Sequence, residues 1–315
     1  MVSALARLSV LLAHVLGAEA AMRVAVSGAG GQTAGHAFRK MLARSDAFEP
    51  VGIVRSESSR EALLSDTAAP EASVIVVDVA SVEDGSSHKG LLAALAGCAA
   101  LLIGTSAKVK PTGGTNPETG RPNMGFPDGQ PYEVDWLGQK AQIDAAKAAG
   151  VKHVVICSSM GGCDPNHMLN NFGRNPDGKT GGNILRWKRK AEKYLIDSGL
   201  DYTILHPGGL LNEDGGFRKI LVDVDDKLLA GEVRSIPRED VAEVMVQSLL
   251  HESYRNRSFD LVAEAPSESC VEVDYANLLA DLDGASCDYS LGMIPDDEAE
   301  CLEKESLLKP EDLPA

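Results

Sequence analysis

The fold is decided by residues 22–35, which read Met22-Arg23-Val24-Ala25-Val26-Ser27-Gly28-Ala29-Gly30-Gly31-Gln32-Thr33-Ala34-Gly35. A short apolar strand runs directly into a glycine-rich turn, and a helical segment begins after it. Glycines let the backbone turn tightly and approach a phosphate, and a helix N-terminus presents unpaired N–H groups to it. Glycine spacing alone would also fit a plain turn, but the flanking strand and helix favour a dinucleotide pyrophosphate site. The predicted cofactor contacts in this loop are Gly28, Gly30, Gly31, Gln32, Thr33 and Ala34.

Length and charge limit the class of protein. The 315 residues are enough for one large α/β domain, 44% of them are hydrophobic, and the formal net charge is −16. This charge argues against nucleic acid or an anionic membrane as a partner, because phosphate binding needs clustered Lys and Arg. Eleven acidic and two basic side chains fall within residues 281–315. We therefore expect residues 284–315 to form an acidic, partly disordered tail.

The six cysteines follow no recognisable pattern. They form no C-x-x-C pair and no zinc-like spacing with histidine, so scattered thiols are favoured over a disulfide framework and no metal site is predicted. They are Cys98, Cys157, Cys163, Cys270, Cys287 and Cys301.

The first 20 residues resemble a secretory signal peptide. One positive charge precedes an apolar run from Leu8 to Gly17, and Ala18-Glu19-Ala20 provides a small-x-small cleavage site. The run is too short to span a membrane. The alternative is that Met22 is the true start, which would leave a cytoplasmic or plastid protein.

Apolar runs alternate with helical patterns along the rest of the chain. Candidate strands cover residues 23–27, 51–55, 74–78, 100–105, 153–158, 202–205 and 258–262, and candidate helices cover 32–44, 81–95, 133–149, 184–198, 239–251 and 272–281. Nearly continuous apolar strands between helices indicate a parallel sheet covered on both faces. We predict an α/β, doubly wound parallel sheet (a Rossmann fold) over residues 22–283, with a small C-terminal substrate lobe.

Two long irregular segments interrupt this alternation. Residues 108–131 contain five prolines and five glycines, and residues 161–182 contain six glycines and two prolines. Both follow the carboxyl ends of predicted strands, the edge of an open α/β sheet where ligands bind. We predict substrate loops, the alternative being tolerated surface insertions.

Strand ends also supply the predicted contacts to the adenosine half of the cofactor. Arg55 ends the second strand, where an NAD site usually has an Asp or Glu. A guanidinium can bind a 2′-phosphate in bidentate fashion, so Arg55 favours NADP over NAD. Asp78 and Val79 close the third strand and are predicted to contact adenine. Thr105 and Ser106 end the fourth strand, near the expected nicotinamide ribose.

Several further motifs accompany the glycine loop. They are Val54-Arg55-Ser56, residues 134–139, 143–147 and 151–155, Ser158-Ser159-Met160-Gly161-Gly162, residues 182–192 and Pro237-Arg238-Glu239-Asp240-Val241-Ala242. With Gly28-x-x-Gly31-x-x-Ala34, these motifs make residues 22–265 similar to the atypical short-chain dehydrogenase/reductases, specifically to a plant-type, NmrA-like branch that binds NAD(P). The resemblance implies a Rossmann fold, a nicotinamide cofactor and reductase chemistry.

The resemblance also implies a catalytic Ser and a Tyr four residues before a Lys. In the family the Lys holds the nicotinamide ribose and lowers the pKa of the Tyr, which exchanges a proton with the substrate. Lys188 fits the Lys position and Ser159 (or Ser158) the Ser position. The Tyr position is Ile184, which has no proton to give. Ser158, Pro207 and Gly208 are predicted to lie beside the nicotinamide.

The sequence leaves the proton donor open. His206 is close to the predicted site, but a histidine in an apolar strand is more often structural. Tyr132 in the first long loop and His167 in the second are the other candidates. Two functions therefore remain: an NADP(H)-dependent reductase of a small carbonyl or unsaturated substrate, and a non-catalytic NADP(H) redox sensor with a regulatory protein partner. The two ligand loops favour the enzyme, and Ile184 favours the sensor.

Overall fold

The computed structural model describes residues 20–80, 86–115 and 120–307. Residues 1–19 of the predicted leader and residues 308–315 of the predicted tail lie outside these ranges. Within them, no helix is both long and apolar enough to cross a membrane.

The described chain forms twelve strands and seven α-helices. The strands are β1 (Met22–Ser27), β2 (Phe48–Val54), β3 (Val74–Val76), β4 (Ala100–Ile103), β5 (Lys110–Thr115), β6 (Pro122–Gly125), β7 (His153–Cys157), β8 (Asp201–Pro207), β9 (Gly209–Leu211), β10 (Ile220–Asp223), β11 (Ser235–Pro237) and β12 (Arg257–Ala263). The helices are α1 (Gln32–Leu42), α2 (Glu57–Asp66), α3 (Ser86–Leu95), α4 (Gln139–Ala149), α5 (Ile184–Asp197), α6 (Arg238–Gln247) and α7 (Asp297–Leu307). A π-helical segment, Tyr132–Gly138, leads directly into α4.

Eight strands build the central sheet in the order β10-β12-β8-β7-β4-β1-β2-β3. All neighbours are parallel except β10 and β12, which pair antiparallel at one edge. Chain order reverses at the β1–β4 boundary, which is the switch point where open α/β sheets bind ligands. This is the doubly wound Rossmann arrangement predicted from the sequence.

Apolar side chains cover both faces of the sheet. One cluster joins β1 and β12 to α1 and α6, through residues such as Val26, Phe38, Val241 and Phe259. A second cluster lies on the opposite face, where Leu101 and Ile143 pack with α3, α4 and α5. Because both faces are buried, the carboxyl edge of the strands remains as the place where loops and a ligand can meet.

Loops and short elements depart from the predicted pattern in several places. The first long loop contains the antiparallel β5–β6 hairpin, and the exposed helix α2 was not predicted. The candidate helix at 272–281 is instead a pair of 3₁₀ turns, Tyr275–Asn277 and Ala280–Leu282. Residues 284–307, within the segment expected to be partly disordered, contain α7 and lie against α5 through the Lys190–Glu300 ion pair.

Candidate cofactor and active site

The glycine loop between β1 and α1 forms a tight backbone cradle. Gly28 has a φ of 77°, and a Cβ there would lie 3.2 Å from the backbone carbon of Gly104, so the position requires glycine. The Gly31 N–H donates to the Gly28 carbonyl at 2.7 Å and closes the turn. Gly31 is also the N-cap of α1 and offers no capping side chain. The first N–H groups of α1 are therefore available to an anion, which is the arrangement that a pyrophosphate requires.

A cleft of about 160 Å³ lies over this cradle, at the carboxyl ends of β1 to β4. Eight of the predicted cofactor residues line it: Gly28, Gly30, Gly31, Arg55, Asp78, Val79, Thr105 and Ser106. Gln32, Thr33 and Ala34 form the first turn of α1 beside the cleft rather than its lining. Sequence reasoning did not single out three other lining side chains, Ser59, Lys108 and Asp128.

Arg55 lies at the rim of the cleft, directly after β2, with an exposed side chain. Its guanidinium donates to the Asp128 carbonyl oxygen at 3.0 Å. The Asp128 carboxylate pairs with Lys110 at 2.5 Å, and this contact lowers the pKa of Asp128. The first long loop therefore reaches across to β2. Lys108, in the same loop, gives the rim a second cation.

Lys188 forms a buried ion pair with Asp135. The two charged atoms lie 2.8 Å apart, and both side chains are almost completely enclosed. The other Asp135 oxygen accepts from the Ala107 N–H at 3.0 Å, and Ala107 lines the cleft. Lys188 is thus fixed next to the cleft but outside its lining, and Asp135, which sequence reasoning missed, joins α5 to the loop after β4.

The two predicted serines have different surroundings. Ser158 is buried, and its hydroxyl donates to the Glu192 carboxylate. Ser159 is half-buried, and its hydroxyl donates to the Met160 carbonyl at 3.0 Å. Ile184 packs in an apolar cluster with Ala107 and Phe126, so the position of the missing tyrosine is filled by core packing.

Pro207 and Gly208 lie at the end of β8, outside the lining of the cleft. The Pro207 carbonyl accepts from the Met160 N–H at 3.1 Å. A Cβ on Gly208 would lie 2.4 Å from the Arg234 carbonyl oxygen. The close approach of this backbone segment is enough to require a glycine here, whether or not a ligand binds. Arg238, from one of the motifs behind the family resemblance, lies beside α1, with its Nη1 3.5 Å from the Thr33 hydroxyl. It is a further candidate for binding the pyrophosphate.

The three candidate proton donors have separate environments. Tyr132 is buried edge-on against Trp187, and burial raises its pKa. His167 is half-buried in the second long loop, and its Nδ1 accepts from the Leu169 N–H at 3.4 Å. His206 is buried between two carboxylates, with Nε2 3.0 Å from Glu192 and Nδ1 3.4 Å from Asp260.

The buried pair of Glu192 and His206 is strongly coupled. Burial opposes charge on both groups, but their mutual attraction lowers the pKa of Glu192 and raises that of His206. The Tyr289 hydroxyl donates to the same Glu192 oxygen at 3.0 Å. His206 is therefore held between fixed partners.

Comparison with known proteins identifies the family. A model described as NAD(P)H-binding matches residues 28–252, which cover the cradle, the cleft and both long loops. The chain belongs to this NAD(P)H-binding family. This match confirms the resemblance to the atypical short-chain reductases. It also confirms that the family binds a nicotinamide cofactor, NAD(P)H.

Two of the similar proteins come from plants. Sanguinarine reductase of Eschscholzia californica is 45% identical over 259 residues, covering 76% of this chain and 88% of that protein. An uncharacterised chloroplast protein of Arabidopsis thaliana is 42% identical over 259 residues, covering 82% of this chain and 74% of that protein.

A solved structure from Bacillus halodurans, described as an NAD-dependent epimerase/dehydratase, shares the fold. It has a TM-score of 0.57 and 24% identity, covering 82% of this chain and 99% of that one. At this identity the likeness supports the Rossmann architecture alone.

Proposed function

We propose that this protein is an NADP(H)-dependent reductase that transfers hydride to a small carbonyl or unsaturated substrate. The observation that carries the cofactor choice is Arg55 at the rim of the cleft, at the position where an NAD site has a carboxylate. Lys108 lines the same cleft and would add a second positive charge near a 2′-phosphate.

The chemistry of the cradle and the cleft supports a dinucleotide cofactor. Gly28 and Gly31 leave room for phosphate oxygens, and the uncapped start of α1 supplies donors for them. Asp78 and Val79 would contact adenine, and Thr105 and Ser106 the nicotinamide ribose, since all four line the cleft. The bound cofactor would supply the hydride. The ion pair of Lys188 and Asp135 would hold α5 and the loop after β4 in place beside the nicotinamide.

The protein's own part in the reaction would be to orient the acceptor and deliver a proton. Ser159 can turn its hydroxyl from the Met160 carbonyl toward a substrate oxygen. Ile184 supplies no proton, so the proton comes from water or a loop side chain. Tyr132 is buried against Trp187, whereas His167 is half-buried. His167 is therefore the more accessible of the two loop candidates for the proton donor.

Similarity to sanguinarine reductase supports the enzyme over the redox sensor, although Ile184 was the reason to consider a sensor. The test is NADPH consumption by the purified chain with sanguinarine and with a panel of small carbonyl compounds. We expect turnover with at least one of them, and its loss in Ser159→Ala with NADPH affinity retained. Tight NADPH binding with no turnover above background would overturn the reductase and favour the sensor.

We also propose a plastid setting, because the Arabidopsis relative is a chloroplast protein. A fluorescent fusion to the C-terminus of the full chain tests this. Secretion of the fusion would instead support the signal-peptide interpretation of residues 1–20.

A further inference from the structure

Three side chains with metal-binding atoms meet behind Ser159. His206 comes from β8, Asp260 from β12, and Cys287 from the segment that follows the 3₁₀ turns. Their exposures are only 4%, 1% and 8%. Cys287 is held in place because its N–H donates to the Ser258 hydroxyl at 3.1 Å. Sequence spacing could not reveal this cluster, since its members are separated by 54 and 27 positions along the chain.

The separations between these atoms match the edges of a metal tetrahedron. His206 Nδ1 lies 3.4 Å from Cys287 Sγ and 3.4 Å from Asp260 Oδ1, and Sγ lies 3.7 Å from that oxygen. Bonds to zinc of about 2.0–2.3 Å at tetrahedral angles place ligand atoms roughly 3.3–3.6 Å apart. The three atoms could therefore bind one ion with little movement.

The surroundings orient the ligands as in known metal sites. His206 Nε2 faces Glu192 at 3.0 Å, which fixes the ring so that Nδ1 points to Cys287 and Asp260. The second Asp260 oxygen accepts from the Asp226 N–H at 2.6 Å. Histidine donating to a carboxylate while its other nitrogen faces a cation is the usual outer-shell arrangement at zinc.

Charge also favours a cation. The carboxylates of Glu192, Asp226 and Asp260 surround this point. The nearby guanidinium of Arg189 donates to the Asp288 and Leu291 carbonyls and stacks on the Tyr289 ring. Arg189 also lines the cavity beside the three ligands, but its guanidinium donates to these two carbonyls.

A small cavity adjoins the three ligands. It has a volume of about 10 Å³, which is about the size that one water needs. Ser159 and Cys163 line it together with His206, Asp260 and Cys287. A fourth, non-protein ligand could therefore occupy it.

We propose that His206, Asp260 and Cys287 bind one divalent transition-metal ion of the zinc class, with water as the fourth ligand. His206 binds through Nδ1, Cys287 as the thiolate, and Glu192 holds the imidazole from behind. The ion fastens the segment around Cys287 to β8 and β12, next to Ser159.

The test titrates the full-length, chelator-treated chain with Co²⁺ and then with Zn²⁺. We expect one Co²⁺ per chain, with the intense near-ultraviolet absorption of a cobalt–thiolate bond and the visible bands of tetrahedral cobalt. Zn²⁺ should displace it and raise the melting temperature. Wild-type protein without cobalt–thiolate absorption would overturn the proposal, with no variant needed.

Variants locate the site. Cys287→Ser should abolish the cobalt–thiolate absorption and weaken Zn²⁺ binding more than about 100-fold, and Asp260→Asn should weaken it about 10–100-fold. Cys98→Ser is the matched control, because Cys98 is also buried but lies before the amino end of β4, which is not a strand of the ligand cluster. Absorption that survives in folded Cys287→Ser, or is lost in folded Cys98→Ser, would contradict the assignment.

Discussion

Arg55 is the residue on which the expected cofactor preference depends. Its guanidinium is exposed at the cleft rim and donates to the Asp128 carbonyl, an interaction that a phosphate would replace. Arg55→Ala should weaken NADPH binding by about 1.5–3 kcal/mol, the scale of a charged hydrogen bond, and leave NADH binding unchanged. Fluorescence titration with both nucleotides measures this difference.

Arg255→Ala controls for the loss of one positive charge. Arg255 pairs with Asp201 at the amino end of β8, at the opposite edge of the sheet from the cleft. We expect its NADPH and NADH affinities to match wild type. An Arg55→Ala protein that loses both nucleotides equally would remove the basis for NADP specificity.

Single residues were predictable where function follows directly from a strand end. Gly28 and Arg55 come immediately after apolar strands and Asp78 two residues after one, and all of them line the cleft. Asp135 and Cys287 could not be found this way, because their partners are Lys188 on α5 and His206 on β8. Pairings over such separations depend on how the elements pack.

At the scale of elements, β4 and α1 approach so closely that Gly104 has no room for a side chain. A Cβ at this position would lie 2.6 Å from the Cβ of Ala34. Gly104→Ala should therefore destabilise the fold by about 1–3 kcal/mol and weaken NADPH binding, since α1 must move away from the cradle. Urea unfolding and nucleotide titration measure the two effects.

Gly209→Ala is the control for this substitution. Gly209 has ordinary van der Waals space around its absent Cβ, with the nearest atom at 3.5 Å. The free energy of unfolding of Gly209→Ala should lie within about 0.5 kcal/mol of the wild-type value. Equal stability of the Gly104 and Gly209 variants would show that α1 is free to shift.

The ion pair of Lys188 and Asp135 links α5 to the π-helical segment. Removing only the lysine leaves a buried, unpaired carboxylate, so Lys188→Met should cost about 3–5 kcal/mol of unfolding free energy. Adding Asp135→Asn removes the charge but keeps an oxygen for the Ala107 N–H, and should restore most of that loss. Urea unfolding compares the single and double variants.

Lys193→Met is the matched control on the same helix. Lys193 pairs with Asp197 in solvent, and such pairs contribute about 0–1 kcal/mol. If the double variant folds stably yet loses NADPH binding, Lys188 has a cofactor role beyond its ion pair. If Lys188→Met alone is as stable as Lys193→Met, the ion pair does not hold α5.

Elements were predictable where their burial is regular. The seven predicted strands all occur in the central sheet. They could be recognised because both faces of the sheet are covered, which makes each strand a nearly continuous apolar run. Helix α2 was missed because only Leu63 of its ten residues is buried, which leaves little apolar periodicity. The segment at 272–281 has buried positions but meets the core through 3₁₀ turns, which periodicity alone does not distinguish from a helix.

At the scale of the whole molecule, charge composition concealed an ordered segment. The excess of acidic residues after Asp281 suggested a solvated tail, but basic residues of α5 face it. Lys190 pairs with Glu300, and the buried carboxylate of Glu303 accepts from the Gly181 N–H at 3.0 Å. A net charge counted along a segment does not show which charges elsewhere in the chain it meets.

The pH dependence of overall stability should depend on His153. Burial, with a smaller contribution from Arg255, lowers the pKa of His153 from 6.5 to about 4, while Asp201 acts weakly in the opposite direction. Its Nε2 lies 2.9 Å from the Thr203 hydroxyl, which donates to the Tyr254 carbonyl at 2.8 Å, so Nε2 carries the hydrogen and the buried Nδ1 would take the added proton.

Between pH 6.5 and about 4 the unfolded chain binds a proton that the folded chain excludes. This contribution to stability is therefore fully present above pH 6.5 and is lost as the pH falls toward about 4, by about 3 kcal/mol in total. His153→Gln should flatten this part of the profile, whereas His88→Gln, at an exposed site on α3, should follow wild type. Urea unfolding at half-unit pH steps measures the three profiles, and an unchanged slope in His153→Gln would show that His153 takes up its proton without unfolding.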